Sequence, residues 1–396
     1  MKARTLLTSA YAMPVVGLLV LAGVFLVARP SLAQEACPLP EGVTPPAALR
    51  VTAQQVEDGS ATLMDFALAA RDQFSLGAAT AEEALYLGCL LRQEGSHWRS
   101  GSTYLVTLTA DGRVFIHAKD MSLSGRQLNP LVYGTILQAV GINPADLTNP
   151  ATALAAFAAA AAGNVSSFNI PDVPGTSGYA AVYISTTFGL PFVMLAGFDL
   201  NESHLAEEAI DYGDPTITAR DVVDRETLKT FVTQAGEWFL KLQKSGDLAA
   251  ATQAKIALRD PNGPWIHGNV YIYVVDRISN IILFHGGFPD RFELRPPGVS
   301  RDAVTGELIR DQIFAAAASS PEGGFWQYHF DDPTDDTDSA DIPKVGYARE
   351  FTGEASLGGR VIPISFIVGS GFYHSSPDDA STVTRTETWG QLKSRF

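Results

Sequence analysis

Residues 98–118, WRSGSTYLVTLTADGRVFIHA, and residues 265–286, WIHGNVYIYVVDRISNIILFHG, carry nearly the same message. Trp98 and Trp265 are 167 positions apart, as are Tyr104 and Tyr271, and His117 and His285 are 168 apart. Just upstream, LRQEGSHW (91–98) answers LRDPNGPW (258–265). Downstream, GYAAVY from Gly178 answers GYAREF from Gly346 at an offset of 168. Each copy closes on a similar strand, GLPFVMLAGFDL near Phe198 and IPISFIVGSGFY near Phe372, with the offset drifted to 174. A period this long means two copies of one domain, not a short-repeat solenoid.

Within the quoted stretch, Tyr104–Thr109 and Val114–His117 flank the turn dipeptide Asp111-Gly112, which predicts a hairpin. The second copy repeats it as Val270–Val275 and Ile281–His285, with Ser279-Asn280 near the turn. Ahead of the hairpin, the spacing of Leu63, Phe66 and Phe74 predicts one helix over Val51–Phe74. Its counterpart over Arg225–Gln243 places Leu228, Phe231 and Phe239 each 165 residues further on. Second helices are expected at Ala81–Gln93 and Leu248–Leu258. Beyond the second hairpin a helix is expected at Leu308–Ala317, then strands near Phe325–Phe330, Val345–Phe351 and Ile362–Tyr373. Helices, hairpin, helix and antiparallel strands in that order predict α+β units, each with one central antiparallel sheet. The expected division is a leader over 1–33, one domain over 34–213, a second over 214–375, and a polar tail over 376–396.

The 396 residues suit two ordinary domains once a leader is set aside, and 46% hydrophobic content supports a core in each. A formal charge of −15 argues against nucleic acid and anionic lipid as partners, since phosphate binding needs a basic face. Lys2 and Arg4, the apolar run Tyr11–Ala28 and the small residues of Ser31-Leu32-Ala33 predict a secretory signal, with a retained membrane anchor as the alternative. The mature protein is thus expected in the periplasm or secreted. Two cysteines, Cys37 and Cys89, form one disulfide by default in such a compartment, two buried thiols being the alternative.

The ordered features of the second copy are a long helix, Trp265, Tyr271, His285, Asp302 with Gly306, Gly323-Gly324-Phe325-Trp326, Lys344 with Tyr347, and Gly369–Tyr373. In this order the chain resembles the Cache family of extracytoplasmic sensing domains, members of which are PAS-like. The first copy matches at Trp98, Tyr104, Asp111-Gly112, His117, Gly178-Tyr179 and Gly197-Phe198. It departs from the pattern at Ala156–Phe168, AFAAAAAGNVSSF, where the glycine-aromatic strand is expected. The resemblance implies recognition of a small organic ligand between the sheet and the elements covering it. Many relatives are outer parts of chemoreceptors and sensor kinases. Nothing after Phe396 is available to pass a signal inward, so a stand-alone tandem protein working with a membrane receptor or kinase partner is expected. The long helices leave a homodimer open.

A ligand pocket needs an apolar wall with a few convergent polar groups. Strand alternation pairs Tyr271 with Tyr273, Trp326 with Tyr328, and Tyr347 with Arg349. With His285 these form the candidate ligand site, in which the planar fork of Arg349 would hold a carboxylate and the aromatics would suit an amine equally. Core packing is the competing reading for each aromatic. In the first copy Trp98, Tyr104, His117 and Tyr179 are the corresponding candidates, with a purely structural copy as the alternative. The seven histidines show no metal-ligand spacing, and the acidic run Asp331–Asp341 lacks the glycine and terminal Glu of a calcium loop. No nucleophile elbow, P-loop or dinucleotide-binding pattern is present, so neither an enzyme nor a cofactor is expected. A structural protein of the envelope with vestigial pockets is the alternative to a binding protein.

Overall fold

The computed structural model describes residues 37, 39, 42–78, 80–171, 176–295, 300–330, 342–357 and 360–373. The expected leader, the tail and the acidic run 331–341 lie outside the described residues. The first half opens with α1 (Ala53–Glu57), α2 (Leu63–Leu76) and α3 (Ala81–Arg92). A single helix over Val51–Phe74 is therefore not what forms. Asp58-Gly59-Ser60 breaks it, Gly59 taking a φ of 77°, and Thr62 restarts the helix by accepting the Asp65 amide at 3.1 Å. Then follow β1 (Leu105–Thr109), β2 (Val114–His117), α4 (Pro130–Ala139), α5 (Pro150–Ala161), β3 (Ser166–Asn169), β4 (Ser177–Ile184) and β5 (Pro191–Ala196). The alanine-rich run is helix α5, and the strand that should carry aromatics, β3, keeps only Phe168.

The second half begins with α6 (Arg225–Lys244) and α7 (Leu248–Arg259). Asp224 caps α6 in a reciprocal box with Thr227, accepting its amide at 2.9 Å, while Thr227 accepts the Asp224 amide at 3.1 Å. Next come β6 (Ile266–His267), β7 (Val270–Tyr271), β8 (Tyr273–Asp276), β9 (Ile282–His285), α8 (Pro289–Phe292), α9 (Ile309–Ala318), β10 (Gly324–His329), β11 (Pro343–Leu357) and β12 (Arg360–Tyr373). The strand expected over Val270–Val275 divides at Ile272, since β7 pairs with β6 and β8 with β9 and β12.

Both five-stranded sheets are antiparallel and wound alike. The first runs β2-β1-β5-β4-β3 and the second, read from the same edge, β9-β8-β12-β11-β10. In each, the last strand of the copy inserts beside the first strand of the hairpin. The class is α+β, built from two PAS/Cache-like sheets. Both belong to one compact unit.

Helices cover both faces of each sheet. In the first half α2 packs on one face over Phe66, Phe74, Phe192 and Met194, and α4 and α5 fill the other with Val132, Ile136 and Phe157. In the second half α6 and α7 lie on one face over Phe231, Phe239, Val274 and Phe366. Helix α9 covers the other with Ile309 and Ile313 against Tyr273, Trp326 and Tyr328. The halves meet where α7 and α8 approach the turn after β2. A Cβ on Gly125 would lie 2.8 Å from the Thr252 carbonyl. A disulfide joins Cys37 to Cys89 on α3. Among the described residues no helix is long and apolar enough to cross a membrane.

Candidate functional site

Strand register decides which side chains meet. Opposite residues share a face in an antiparallel pair, and here Trp326 opposes Gly346 and Tyr328 opposes Lys344. Continuing across the sheet, Lys344 opposes Tyr373, Gly369 opposes Tyr273, and Tyr273 opposes His285. One face therefore carries Tyr273, His285, Trp326, Tyr328, Lys344 and Tyr373. Tyr347 opposes Phe325 and Arg349 opposes Val368, which puts both on the other face, toward α6. The expectation that all three strand pairs share a face fails at β11, because the pairs chosen there and on β10 differ in parity.

On the α9 side a cavity of about 50 Å³ lies among Tyr271, Tyr273, His285, Phe292, Ile313, Tyr328 and Phe330, with Ser300 and Arg310 also lining it. Glycines let the rings lie flat on the sheet. A Cβ on Gly369 would come within 2.1 Å of the Tyr273 hydroxyl oxygen, and one on Gly346 within 2.5 Å of the Trp326 ring. The glycines of GSGFY and KVGY thus make room for aromatic side chains.

The hydroxyl of Tyr273 is buried and has no hydrogen-bond partner among the described residues, and burial raises its pKa well above the usual phenol range. Trp326 stacks on Tyr328 with centroids 5.4 Å apart, and its Nε1 likewise has no partner. Trp326 sits on the cavity's face without lining the cavity itself. Orphaned buried donors of this kind are uncommon in native proteins.

His285 closes one wall. Its ring lies 5.1 Å from that of Tyr271 and 4.7 Å from that of Phe292. Its Nδ1 accepts the Phe288 amide at 2.9 Å, which fixes the tautomer with the proton on Nε2. Burial, reinforced by the charges of Lys344 and Arg291, pushes its pKa down to about 3, so it is neutral at ordinary pH. The His285 backbone amide donates to Oε1 of Glu293 at 3.0 Å. Glu293 is fully buried beside Arg259 and has Lys255 at 3.8 Å.

Lys344, 2% exposed, places its Nζ 4.4 Å from the Tyr271 ring centroid and 4.3 Å from that of Tyr373. It donates to the Tyr271 hydroxyl at 3.4 Å. Lys344 was part of the recognised pattern, but its role was missed. Its place opposite Tyr328 follows from the β10–β11 register, which the sequence does not contain. Tyr347 instead donates its hydroxyl to the Glu322 carbonyl and packs on Phe325, while the Arg349 guanidinium lies 5.1 Å from the Phe351 ring centroid. Neither reaches the cavity.

In the first half, Tyr104 and His117 repeat the pairing of Tyr271 with His285, their rings 5.3 Å apart. The Tyr104 hydroxyl donates to Asp199 at 3.0 Å beside an open cleft of about 490 Å³ that Glu57 and Lys119 also line. Trp98 packs on Phe74 on the α2 face, away from Tyr104. The face that corresponds to the second-half cavity is packed by α4 and α5, and Tyr133 there donates its hydroxyl to the Ala110 carbonyl at 2.7 Å.

These features define an α+β chain with two like sheets, one of which backs an aromatic cavity. No family model matches the chain. No curated protein matches it either. Among solved structures it is similar to a methyl-accepting chemotaxis protein from Vibrio parahaemolyticus, with 18% identity, 39% of this chain and 93% of that chain covered, and a TM-score of 0.29.

Proposed function

We propose that the chain is an extracytoplasmic sensory or binding protein that takes a small organic ligand in the second-half cavity and presents its occupancy to a membrane partner. The observation that carries this reading is the Tyr273 hydroxyl, buried without a partner in the wall of an aromatic cavity. A ligand oxygen or nitrogen placed there would satisfy it and offset the cost of its burial. The cavity's lining is mostly apolar with a few polar groups, the composition of small-molecule sites, although its volume of about 50 Å³ is well below theirs and suits a very small ligand. The Cys37–Cys89 disulfide supports an oxidising compartment. With Arg349 on the other face, a carboxylate would instead meet the positive field of Lys344 and Arg310.

A thermal-shift screen of organic acids, amines and amino acids tests this. A ligand at about 100 times its Kd adds roughly 2.7 kcal/mol, which is a shift of several degrees. The expected result is a shift that Tyr273→Phe diminishes and Arg349→Ala leaves intact. A flat screen, or a shift indifferent to Tyr273→Phe but lost in Arg349→Ala, overturns the assignment. In the first half the face that corresponds to this cavity is packed by α4 and α5.

A further inference from the structure

We infer that the first half carries a separate site for a small uncharged molecule, on the opposite side of its sheet from α4 and α5. A cavity of about 60 Å³ lies there between the sheet, α3 and the turn at 185–190. Its walls are aromatic and aliphatic, chiefly Phe74, Leu87, Phe115, Tyr183, Phe188 and Phe192. The rings of Tyr183 and Phe192 lie 5.5 Å apart and those of Phe115 and Phe192 5.1 Å apart. No charged side chain lines it.

Thr107 brings a hydroxyl to the sheet wall of this largely apolar lining. Thr107 on β1 is 1% exposed, and its hydroxyl has no hydrogen-bond partner among the described residues. The register places it between Ile116 and Met194, where packing alone would select an aliphatic residue. The second copy has such a residue at this position, Val274, fully buried against the α6 face. A threonine in place of valine costs stability unless its hydroxyl finds a partner.

The copies also differ in how this face is covered. Helix α6 runs for 20 residues, whereas α2 has 14 and stops at Gly77 with a φ of 74°. The chain turns there so tightly that a Cβ on Gly77 would fall 1.8 Å from the Thr186 hydroxyl oxygen. Phe74, Gly77 and Ala78, at and just past the end of α2, form one side of the cavity. At its mouth, Thr187 donates to the Ala78 carbonyl at 2.7 Å and Ser185 accepts the Phe188 amide at 3.2 Å. Those hydroxyls close the mouth, and Thr107 is the group left facing inward. The occupant that fits is a short apolar body with one hydroxyl or carbonyl, bound polar end first against Thr107.

The test uses the full chain and 1-butanol at millimolar concentration, with saturation transfer from protein to ligand protons as readout. Transfer is expected for the unaltered protein. Thr107→Val, nearly isosteric, is expected to weaken the affinity about tenfold, the factor one hydrogen bond supplies. Ala84→Phe, which fills the cavity from α3, is expected to abolish transfer. Absence of transfer to the unaltered protein overturns the site. So does transfer unchanged in Thr107→Val, or transfer lost when Ile313→Phe fills the second-half cavity. Failure here leaves the second-half reading untouched, because its probe residues are different.

Discussion

Tyr273 and Gly369 show how one residue's chemistry is set by its opposite number. The ring can lie across the sheet because position 369 has no side chain, and this is the reason a glycine is needed in mid-strand. Gly369→Ala is expected to destabilise the protein by about 1–3 kcal/mol through overpacking, read as a lower urea midpoint. A neutral effect would mean that Tyr273 has another resting place. Two histidines make the second residue-scale statement. His117 is pushed down to about 4 and His285 to about 3, burial being the main cause in both. An unfolded histidine titrates near 6.5. The unfolded chain therefore binds more protons as pH falls below about 6.5. The stability that these neutral rings contribute is complete above about pH 6.5 and is lost as the pH falls toward about 4. The urea midpoint is expected to drop between about pH 7 and pH 4.5, and His117→Gln to make that drop smaller. A drop of unchanged size in the variant removes His117 from the account.

Elements were legible to different degrees, and the reasons are physical. The hairpin β1–β2 and the helix α6 were plain because a turn dipeptide and an uninterrupted apolar stripe are local signals. Asp224→Ala is expected to cost α6 about 1 kcal/mol, measured by chemical denaturation, since the cap satisfies amides that have no helical partner. Helices α1 and α2 were read as one because the residues that set the period, Leu63, Phe66 and Phe74, all lie in α2 and say nothing of the chain before Asp58-Gly59-Ser60. The break was missed, although the glycine and the Thr62 cap were in view. At the candidate site, alternation within β10 put Trp326 and Tyr328 on one face, as the register shows. Parity between strands depends on register, which no spacing within one strand contains. Tyr347 and Arg349 were misplaced, and Lys344 missed, for that one reason.

At the scale of the molecule, the sheets are repeated in order but the junction between them is not symmetric. Arg92 and Arg259 occupy the same position in the two copies. Arg92 is 1% exposed and donates to the carbonyls of Pro289, at 3.2 Å, Asp290, at 2.8 Å, and Glu293. Arg259 binds the Glu293 carboxylate and donates to the Ser124 carbonyl of the first half at 3.0 Å. The Met121 amide in turn donates to Asp290 at 2.7 Å. Arg92→Leu would strand the buried Glu293 carbonyl and two partly buried ones and is expected to cost on the order of 2–4 kcal/mol. In calorimetry the unaltered protein is expected to melt in one transition and the variant in two, the second half first. A single unchanged transition would mean that the junction contributes little cohesion.

This convergence has a consequence for how the protein can be cut and recombined. Two copies of one arginine now serve a single stretch, residues 289–293, that belongs to only one of them. The two like sheets are thereby not interchangeable modules. A second half grafted alone onto another scaffold would carry a loop behind His285 that lacks its Arg92 cap, and a first half alone would expose a guanidinium shaped for a surface left behind. The smallest transplantable piece is the pair, and a designer wanting one cavity must carry both sheets to keep it.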